Sequence, residues 1–215
     1  MWVAPKLWPG ETVFVLAAGP STDALDLRPL VGRRVIAVKS AWKVWPAADV
    51  LFFADGRWWR EKALRPGLAD FAGLVVTTAP EIGAAQSKLV GGKVVVLDPR
   101  IKIIGRAMPC KALSADPGKV VLERSSTTGA INLAAHFGAK RIVLLGVDAR
   151  PAANGRRHNH GLPWPWELRP GCWAAQIKEF STIAPSAEKL GVEIVNANPD
   201  SAVTVWPRMR FEECL

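Results

Sequence analysis

Two histidines are the residues whose type and spacing best suit chemistry in this chain. His158 and His160 stand two positions apart in the segment RRHNHG, so both can face one site from a loop. Histidine is the side chain best suited to proton transfer near neutral pH. We therefore regard the pair as a candidate general base, or as metal ligands together with Asp148 or Asp55. A solvated polar loop is the alternative interpretation.

A turn of small residues near the start of the chain is a candidate anion site. The segment VFVLAAGPS (13–21) is an apolar run that leads through Gly19 into a possible helix start. Backbone N–H groups at such a junction can point at an anion, which is how α/β proteins hold nucleotide phosphates. The segment lacks a full GxGxxG pattern and the Lys-Ser/Thr ending of a Walker loop, so NAD and P-loop chemistry are poorly supported. A tight turn that binds no ligand is the alternative.

A second unit, at 125–148, places polar residues beside another buried strand. Thr127 or Thr128 can cap a helix, with Gly129 just inside it. The apolar run that follows this helix ends at Asp148. An aspartate at the carboxyl end of a parallel strand lies where open α/β sheets bind ligands. This pattern predicts that the 125–148 unit contributes to the same site as the turn.

The elements that must position these residues alternate along the chain. Apolar runs predict strands at 12–17, 34–38, 50–54, 74–78, 93–97, 141–145 and 193–196. Helical patterns fall at 23–31, 56–64, 80–87, 127–137 and 172–190. The alternation is typical of an α/β fold, and we predict a Rossmann-like, mainly parallel sheet with helices on both faces. We expect one nucleotide-binding domain over residues 1–215, with a loop-rich insert at 98–122 and a functional loop at 149–171, called the 149–171 loop below.

Composition limits the class of partner and the compartment. The net charge of +9 favours a polyanionic partner or a phosphate-bearing substrate, although a basic protein without such a partner is the alternative. The first residues lack the layout of a signal peptide, and no apolar run approaches the roughly 20 residues that span a bilayer. We therefore expect a cytoplasmic protein that does not bind membranes. The three cysteines are scattered, as expected for free thiols in a reducing compartment.

Four short blocks carry a resemblance to a known superfamily. They are AAGPS (17–21), AVKSAW (37–42) with LFFADGRWW (51–59), TTGAINLAAHFGAKRIVLLGVD (127–148) and NANPDSAV (196–203). In this order and spacing they resemble a Rossmann-like superfamily that includes bacterial sialyltransferases, which use a CMP-activated sugar. The superfamily also includes hydroxymethylpterin pyrophosphokinases, which use ATP. Similar proteins are common in tailed-phage genomes, and the resemblance covers most of the chain.

The resemblance implies a nucleotide site with defined residues. The positions that fall at the family's nucleotide contacts are Gly19, Pro20, Ser21, Lys39, Ser40, Asp55, Thr127, Thr128, Gly129, Pro199 and Ser201. Lys39 departs from the family, which places an asparagine there, but a lysine can pair with phosphate as a point charge. Asp55 can equally act as the N-cap of the helix that follows it.

The chain matches the family's catalytic residues only in part. Asp148 matches an aspartate near the ribose or donor. The sialyltransferases use a histidine base just before the last long helix, and no histidine stands immediately before Cys172. His158 and His160 are the nearest candidates for that base.

The resemblance implies group transfer from an activated nucleotide. The simplest form is a glycosyltransferase with a nucleotide-sugar donor of unspecified nucleoside and a hydroxyl acceptor. Because the protein is basic, a modified base in phage DNA is a further candidate acceptor, which the enzyme would have to reach by base flipping or on single strands. One alternative is an ATP-dependent pyrophosphokinase whose Mg²⁺ is held by Asp55 and Asp148. Another is a non-enzymatic phage protein that binds nucleotide or DNA, and the oligomeric state stays open.

Overall fold

A parallel β-sheet forms the centre of the molecule. The computed structural model describes residues 1–79, 82, 87–90, 93–96 and 99–215, with backbone only for 87–90 and 93–96. The strands are β1 (Thr12–Leu16), β2 (Arg34–Val38), β3 (Val50–Phe53), β4 (Leu74–Thr77), β5 (Ser87–Val90), β6 (Lys93–Val96), β7 (Ile101–Ile103), β8 (Gly105–Ala107), β9 (Lys119–Val121), β10 (Arg141–Leu145) and β11 (Glu193–Asn196). The α-helices are α1 (Gly56–Arg60), α2 (Ser126–His136) and α3 (Cys172–Lys189).

The order of the strands creates a switch point at the middle of the sheet. Seven strands pair in parallel in the order β11-β10-β1-β2-β3-β4-β7. From β1 the chain builds outward through β2, β3 and β4, and it later returns to the other side of β1 with β10 and β11. In open α/β sheets ligands bind beyond the carboxyl ends of the strands at such a reversal. The predicted α/β, Rossmann-like, mainly parallel fold is confirmed.

Each face of the sheet has its own apolar core. On one face, α2 and α3 pack Ile131 and Phe180 against alternate residues of the central strands, such as Val15 and Ile36. On the other face, α1 and short 3-10 helices cover the opposite set, and Trp58 packs there. Strands covered on both faces are apolar at almost every position, which is why the sequence runs at β1, β2, β3 and β10 are continuous.

The prediction of a helix at 23–31 is wrong. Two short 3-10 helices, Pro20–Ala24 and Arg28–Leu30, take its place. The Asp26 carboxylate accepts the backbone N–H of Arg28 at 3.1 Å, and Pro29 has no N–H to offer a helix. The helix predicted at 56–64 likewise stops at Arg60.

The strand predicted at 93–97 does not join the main sheet. Its described part, β6, pairs in antiparallel fashion with β5. The two strands are separated in sequence by a Gly-Gly pair, which favours a hairpin. The position beside β4 is taken by β7, inside the span predicted to be a loop-rich insert. The helix predicted at 80–87 lies largely outside the described residues, and no helix within the described part is long and apolar enough to cross a bilayer.

Candidate functional site

The turn after β1 and the end of β10 meet at the switch point. The N–H of Gly19 donates to the carbonyl of Gly146 at 2.9 Å. A Cβ atom on Gly19 would lie 2.3 Å from that carbonyl oxygen and 2.6 Å from Oδ2 of Asp148. Both distances are too short for a side chain, so this close approach requires glycine at position 19.

Asp148 joins the ends of three strands. Its side chain is buried, with the residue 5% exposed, and Oδ2 accepts the backbone N–H of Ser21 at 2.8 Å. Its Oδ1 accepts the Ser21 hydroxyl at 2.6 Å and the Asn198 amide at 2.8 Å. A buried carboxylate needs such donors, so Ser21 is committed to Asp148. In this structure the N–H and the hydroxyl of Ser21 therefore both donate to Asp148, and the nucleotide contact predicted for Ser21 stays a prediction.

Ser40 and Ser201 are bound inside the protein. The Ser201 hydroxyl donates to the carbonyl of Val147 at 2.7 Å. The Ser40 hydroxyl donates to the carbonyl of Leu64 at 2.9 Å and accepts from the indole nitrogen of Trp58 at 2.8 Å. Both serines are buried, so the structure gives these two predicted nucleotide contacts internal partners instead.

A separate cleft lies on the outer side of Asp148. It has a volume of about 500 Å³ and is lined by Pro20, Ser21, Asp148 and Pro199, among others. Of the predicted site residues, Pro20, Ser21, Asp148 and Pro199 line this cleft.

The N-terminus of α2 faces the site through Thr127, which was predicted, and through Ser125 and Ser126, which were not. Ser125 is the N-cap, because its hydroxyl accepts the N–H of Thr127 at 3.2 Å; the prediction of Thr127 or Thr128 as cap is wrong. Thr128 is fully buried. Gly129 packs against Phe52, where a Cβ atom would lie 2.7 Å from the ring. Ser126 and the buried Thr127 line the cavity described below, as does Ser125.

A buried acid holds the segment that precedes α2. Glu179 of α3 accepts the backbone N–H groups of Glu123 at 3.1 Å, of Arg124, and of Ser125 at 3.4 Å. These three bonds satisfy an otherwise costly buried carboxylate. They also fix Arg124 beside the start of α2. A glutamate among the apolar residues of a predicted helix indicates a buried partner but does not identify it.

These elements enclose a cavity of about 200 Å³ beneath the 149–171 loop, which we call the histidine cavity. It lies at the ends of β1, β2 and β10. Its polar lining residues are Lys39, Arg124, Ser125, Ser126, Thr127, Asp148, Arg150, Arg157, His158, His160 and Gln176. Of the predicted site residues, the cavity thus brings together both histidines, Gly19, Lys39, Thr127 and Asp148. Arg124, Ser126 and Gln176 were missed by sequence reasoning.

The two histidine rings form a stack at the cavity wall. Their centroids lie 5.1 Å apart with an interplanar angle of 5°, and His158 also contacts the Trp164 ring at 4.9 Å. Nε2 of His158 and both ring nitrogens of His160 are buried without a hydrogen-bond partner among the described residues. A buried polar atom without a partner calls for an explanation, and a catalytic role is one such explanation.

The surroundings hold both imidazoles in the neutral form. Burial lowers the pKa of His160 to about 4, and the neighbouring His158 adds to the effect. Burial also lowers the pKa of His158, with further contributions from the positive charges of Arg157 and Lys39. A neutral imidazole can accept a proton, so the pair meets the first requirement of a general base at neutral pH.

We expect the stability of the protein to fall as the pH is lowered from about 6.5 to 4. Unfolded His160 takes up a proton near its ordinary pKa, whereas the folded residue does so only near 4, so the unfolded state binds more protons in this window. The contribution of His160 is on the order of 3 kcal/mol. Urea unfolding at several pH values measures it. His160→Phe, which keeps a ring and removes the titration, should flatten the slope, and an unchanged slope would contradict the assignment.

Lys39 lies between the histidine cavity and Asp55. Its backbone is left-handed, with φ of 51°, which is strained for a lysine. Its side chain is 22% exposed, and Nζ lies 3.7 Å from Oδ2 of Asp55 and 5.7 Å from the centre of the Trp164 ring. Burial lowers the pKa of Lys39, while the Asp55 carboxylate opposes the shift.

Asp55 acts as a helix cap and an ion-pair partner. Its Oδ1 accepts the N–H of Arg57 at 3.0 Å, so the predicted N-cap role is confirmed. Burial raises the pKa of Asp55, but hydrogen bonds from Arg57 and the charge of Lys39 outweigh it, and the net pKa is lowered. Asp55 therefore stays ionised and holds Lys39 at the cavity mouth.

Comparisons with known proteins find solved structures with a similar fold. No protein-family model and no curated protein sequence matches the chain. Two solved structures of the sialyltransferase CstII from Campylobacter jejuni are similar, one in complex with the substrate analogue CMP-3FNeuAc and one with cytidine-5'-monophosphate. The chain shares their fold. The TM-scores are 0.52 and 0.54 at 9% sequence identity, and the alignments cover 93% and 94% of this chain and 86% of each CstII chain.

The similarity to CstII concerns the fold. It confirms, at that level, the resemblance to CMP-sugar sialyltransferases that the four sequence blocks indicate. The pyrophosphokinase and phage parts of the resemblance stay predictions.

A wide cleft adjoins the histidine cavity on the side of Lys39. It has a volume of about 640 Å³ and shares Lys39, Arg124 and Trp164 with the cavity. The basic residues of its lining are Lys39, Arg57, Arg106, Arg124 and Arg169, and the acidic ones are Asp55, Glu123 and Glu167. Cationic groups therefore exceed anionic ones where this cleft opens into the cavity. Within the described part of the chain, no group of three or more His, Cys, Asp or Glu side chains is arranged to hold a metal ion.

Proposed function

We propose that the protein is a nucleotide-sugar-dependent glycosyltransferase that moves a sugar onto a hydroxyl acceptor. The observation that carries this proposal is the pair of neutral histidines, with ring nitrogens lacking partners, in a cation-lined cavity at the switch point of the sheet. The fold of CstII, whose structures hold CMP and a CMP-sugar analogue, supports a nucleotide-sugar donor.

The cavity provides groups for the donor phosphate. Arg124, Arg150 and Arg157 can neutralise a leaving phosphate, and Ser126 and Thr127 lie at the N-terminus of α2, where the helix dipole favours negative charge. Gly19 holds the cavity wall close to Asp148. In this proposal Asp148 acts through Ser21 and Asn198, by shaping the wall beside the nucleoside, and Pro199 lines the outer cleft next to it.

The histidines provide the base for the transfer step. A ring nitrogen of His158 or His160 accepts the proton of the acceptor hydroxyl as its oxygen attacks the anomeric carbon of the sugar. The bond between that carbon and the phosphate oxygen breaks, and the nucleotide leaves with the electron pair. The arginines stabilise the charge that develops on the leaving phosphate. No further reactant is needed, since the sugar arrives already activated.

The wide cleft is the proposed acceptor site, because it opens into the cavity beside Lys39 and Trp164. Its excess of cationic side chains suits an acceptor that carries negative charge. A base of single-stranded or flipped DNA remains one proposed acceptor of this kind. Parallel assays with a single-stranded oligonucleotide and with neutral and acidic oligosaccharides distinguish the acceptor classes.

The residues proposed for Mg²⁺ in a pyrophosphokinase lie apart. Asp55 lines the wide cleft with Lys39 and Arg57, whereas Asp148 lines the histidine cavity and the outer cleft. No specific contact in the described residues favours that reaction, so we retain glycosyl transfer as the proposed function.

We expect CMP or a CMP-sugar to raise the melting temperature of the protein in a thermal-shift panel. The panel also contains UDP, GDP, ADP, ATP and their sugar conjugates, each with and without Mg²⁺, because a ligand that binds the folded state stabilises it by mass action. Arg124→Ala should weaken binding of the active nucleotide by about 10-fold or more, the value of a charge-assisted hydrogen bond. Arg28→Ala, which removes the same charge from an exposed site paired with Asp26, is the matched control.

Release of free nucleotide from the bound sugar conjugate, followed by chromatography, then tests the reaction itself. A shift with ATP and Mg²⁺ alone would overturn the proposed donor. If none of the nucleotides shifts the melting temperature, the enzyme proposal fails and a structural or DNA-binding role is favoured.

A further inference from the structure

We infer that Asn159 is a positioning residue that holds the two candidate base histidines by fastening the 149–171 loop to the turn after β1. This role rests on the proposed function, because its effect on turnover depends on the histidines acting as the base. Asn159 itself lies outside the cavity lining, whereas His158 and His160 on either side of it line the cavity.

Three hydrogen bonds join Asn159 to the turn. Its backbone N–H donates to the carbonyl of Ala18 at 2.8 Å. Its side-chain Nδ2 donates to the carbonyl of Ala17 at 3.1 Å and to the hydroxyl oxygen of Thr22 at 2.8 Å. The residue is 8% exposed, so water competes little for these bonds. They connect segments that lie more than 130 positions apart in the sequence.

The partners require a side chain that donates two hydrogen bonds. The Ala17 carbonyl can only accept, and the Thr22 hydroxyl already donates to the carbonyl of Gly19 at 3.2 Å. An asparagine NH₂ group supplies both donors, while an aspartate of the same shape would place lone pairs against two acceptors. The chemistry of this position therefore specifies an amide rather than any small polar group.

A second contact supports the same segment from outside. Arg156 forms an ion pair with Asp23 at 2.8 Å and donates to the carbonyls of His158 and Asn159 at 3.3 and 3.4 Å. This pair is partly exposed, and such pairs contribute little on their own. The buried bonds of Asn159 are thus the main connection between the histidine segment and the sheet edge.

The histidine stack depends on this connection. The two rings make no hydrogen bond to the described residues through His158 Nε2 or either His160 nitrogen, so side-chain hydrogen bonds at those atoms do not orient them. Their parallel arrangement follows from the backbone on either side of Asn159 and from packing against Trp164. Release of the backbone should therefore disorder the stack and admit water.

The test uses variants of the whole 215-residue chain. Asn159→Leu removes both donors at nearly constant volume without adding charge, and Asn159→Asp places a carboxylate against the two acceptors. Asn154→Asp is the matched control, because it adds the same charge to the same loop, and Oδ1 of Asn154 only accepts the N–H of Arg156, a role that a carboxylate retains. Thr22→Val removes one of the three bonds at constant volume, together with the bond from Thr22 to the carbonyl of Gly19, and leaves the other two bonds of Asn159 in place.

Two measurements report on positioning. In NMR titrations of the imidazoles, we expect the pKa of His160 to rise from about 4 towards 6.5 in Asn159→Leu, since the ring gains access to water. In sugar transfer, we expect kcat to fall about 10- to 100-fold while KM for the donor changes less than about 3-fold, because a misplaced base slows the chemical step. Thr22→Val should show smaller changes in the same direction, and Asn154→Asp should behave as wild type.

The outcomes separate this inference from the proposed function. If the imidazoles of folded Asn159→Leu and Thr22→Val titrate as in wild type, Asn159 does not position them and the inference is overturned. If the titrations shift as expected but the wild-type protein transfers no sugar, the fastening role stands and the proposed function fails.

Discussion

Replacing His158 and His160 together by alanine should lower the rate of sugar transfer by about 100- to 10,000-fold. General-base catalysis by a positioned side chain contributes about this much to a rate. The other residues of the described cavity lining that can accept a proton have different partners: Asp148 is bound by Ser21 and Asn198, and Lys39 pairs with Asp55. The neutral histidines are thus the groups whose loss should remove the base.

Nucleotide binding should survive the double substitution. The proposed phosphate contacts come from Arg124, Arg150 and Arg157, so the dissociation constant for the nucleotide should change less than about 3-fold if the arginines stay in place. Single substitutions then identify which ring carries the proton. His136→Gln is the matched control: Nε2 of His136 contacts the carbonyl of Lys119 at 2.8 Å, away from the cavity lining, and a glutamine amide can replace that contact.

The pH profile provides a second measurement on the same residues. A base with a lowered pKa stays unprotonated in mildly acidic solution, so the acidic limb of kcat/KM should lie below the ordinary histidine value of 6.5. A double variant that keeps more than about a third of the wild-type rate would remove both histidines from the mechanism.

Local patterns in the sequence were sufficient to predict the main strands of the central sheet. The strand at 141–145 and the helix at 127–137 were predicted within one residue, because their apolar residues are continuous and Gly138 ends the helix in a left-handed conformation. The 23–31 helix and the sheet position of 93–97 were wrong. In the first case Pro29 and the Asp26 side chain outweighed the helical pattern. In the second case the strand pairs with β5, its neighbour in sequence, and not with a strand of the central sheet.

The sequence predicted which edge of the sheet its candidate site residues share, where the histidine cavity lies, but not the contacts that those residues make. Carboxyl ends of parallel strands converge, so residues after β1, β2 and β10 had to lie near one another. Which of their polar groups face a cavity depends on partners distant in sequence. Ser21 and Asp148 are 127 positions apart and satisfy each other, and neither pattern nor propensity contains that information.

The same reasoning applies to two residues that hold segments of the candidate site in place. Asn159 and Glu179 both hold backbone groups of segments far away in the chain, at the turn after β1 and before α2. A polar residue of this kind looks like an ordinary loop or helix position until its buried partners are known. Buried hydrogen-bond networks therefore determine the part of the candidate site that sequence periodicity cannot predict.

Gly19→Ala should destabilise the protein by about 3 kcal/mol or more. The new methyl group would lie 2.3 Å from the carbonyl oxygen of Gly146 and 2.6 Å from Oδ2 of Asp148. Overpacking of this kind usually costs about 1–3 kcal/mol. Here the turn must also move away from β10, which weakens the bonds between Ser21 and Asp148. Urea unfolding at neutral pH measures the change.

Gly161→Ala is the matched control, because a Cβ atom there meets nothing within 4 Å. Its free energy of unfolding should stay within about 0.5 kcal/mol of wild type, as for most surface substitutions. Truncation of Asp148 should not rescue Gly19→Ala, since the nearest atom is a backbone oxygen that no side-chain change removes. An unchanged urea midpoint for Gly19→Ala would mean that the turn can move away from β10 at no cost. The close approach of the ends of β1 and β10 would then not be required to form the site.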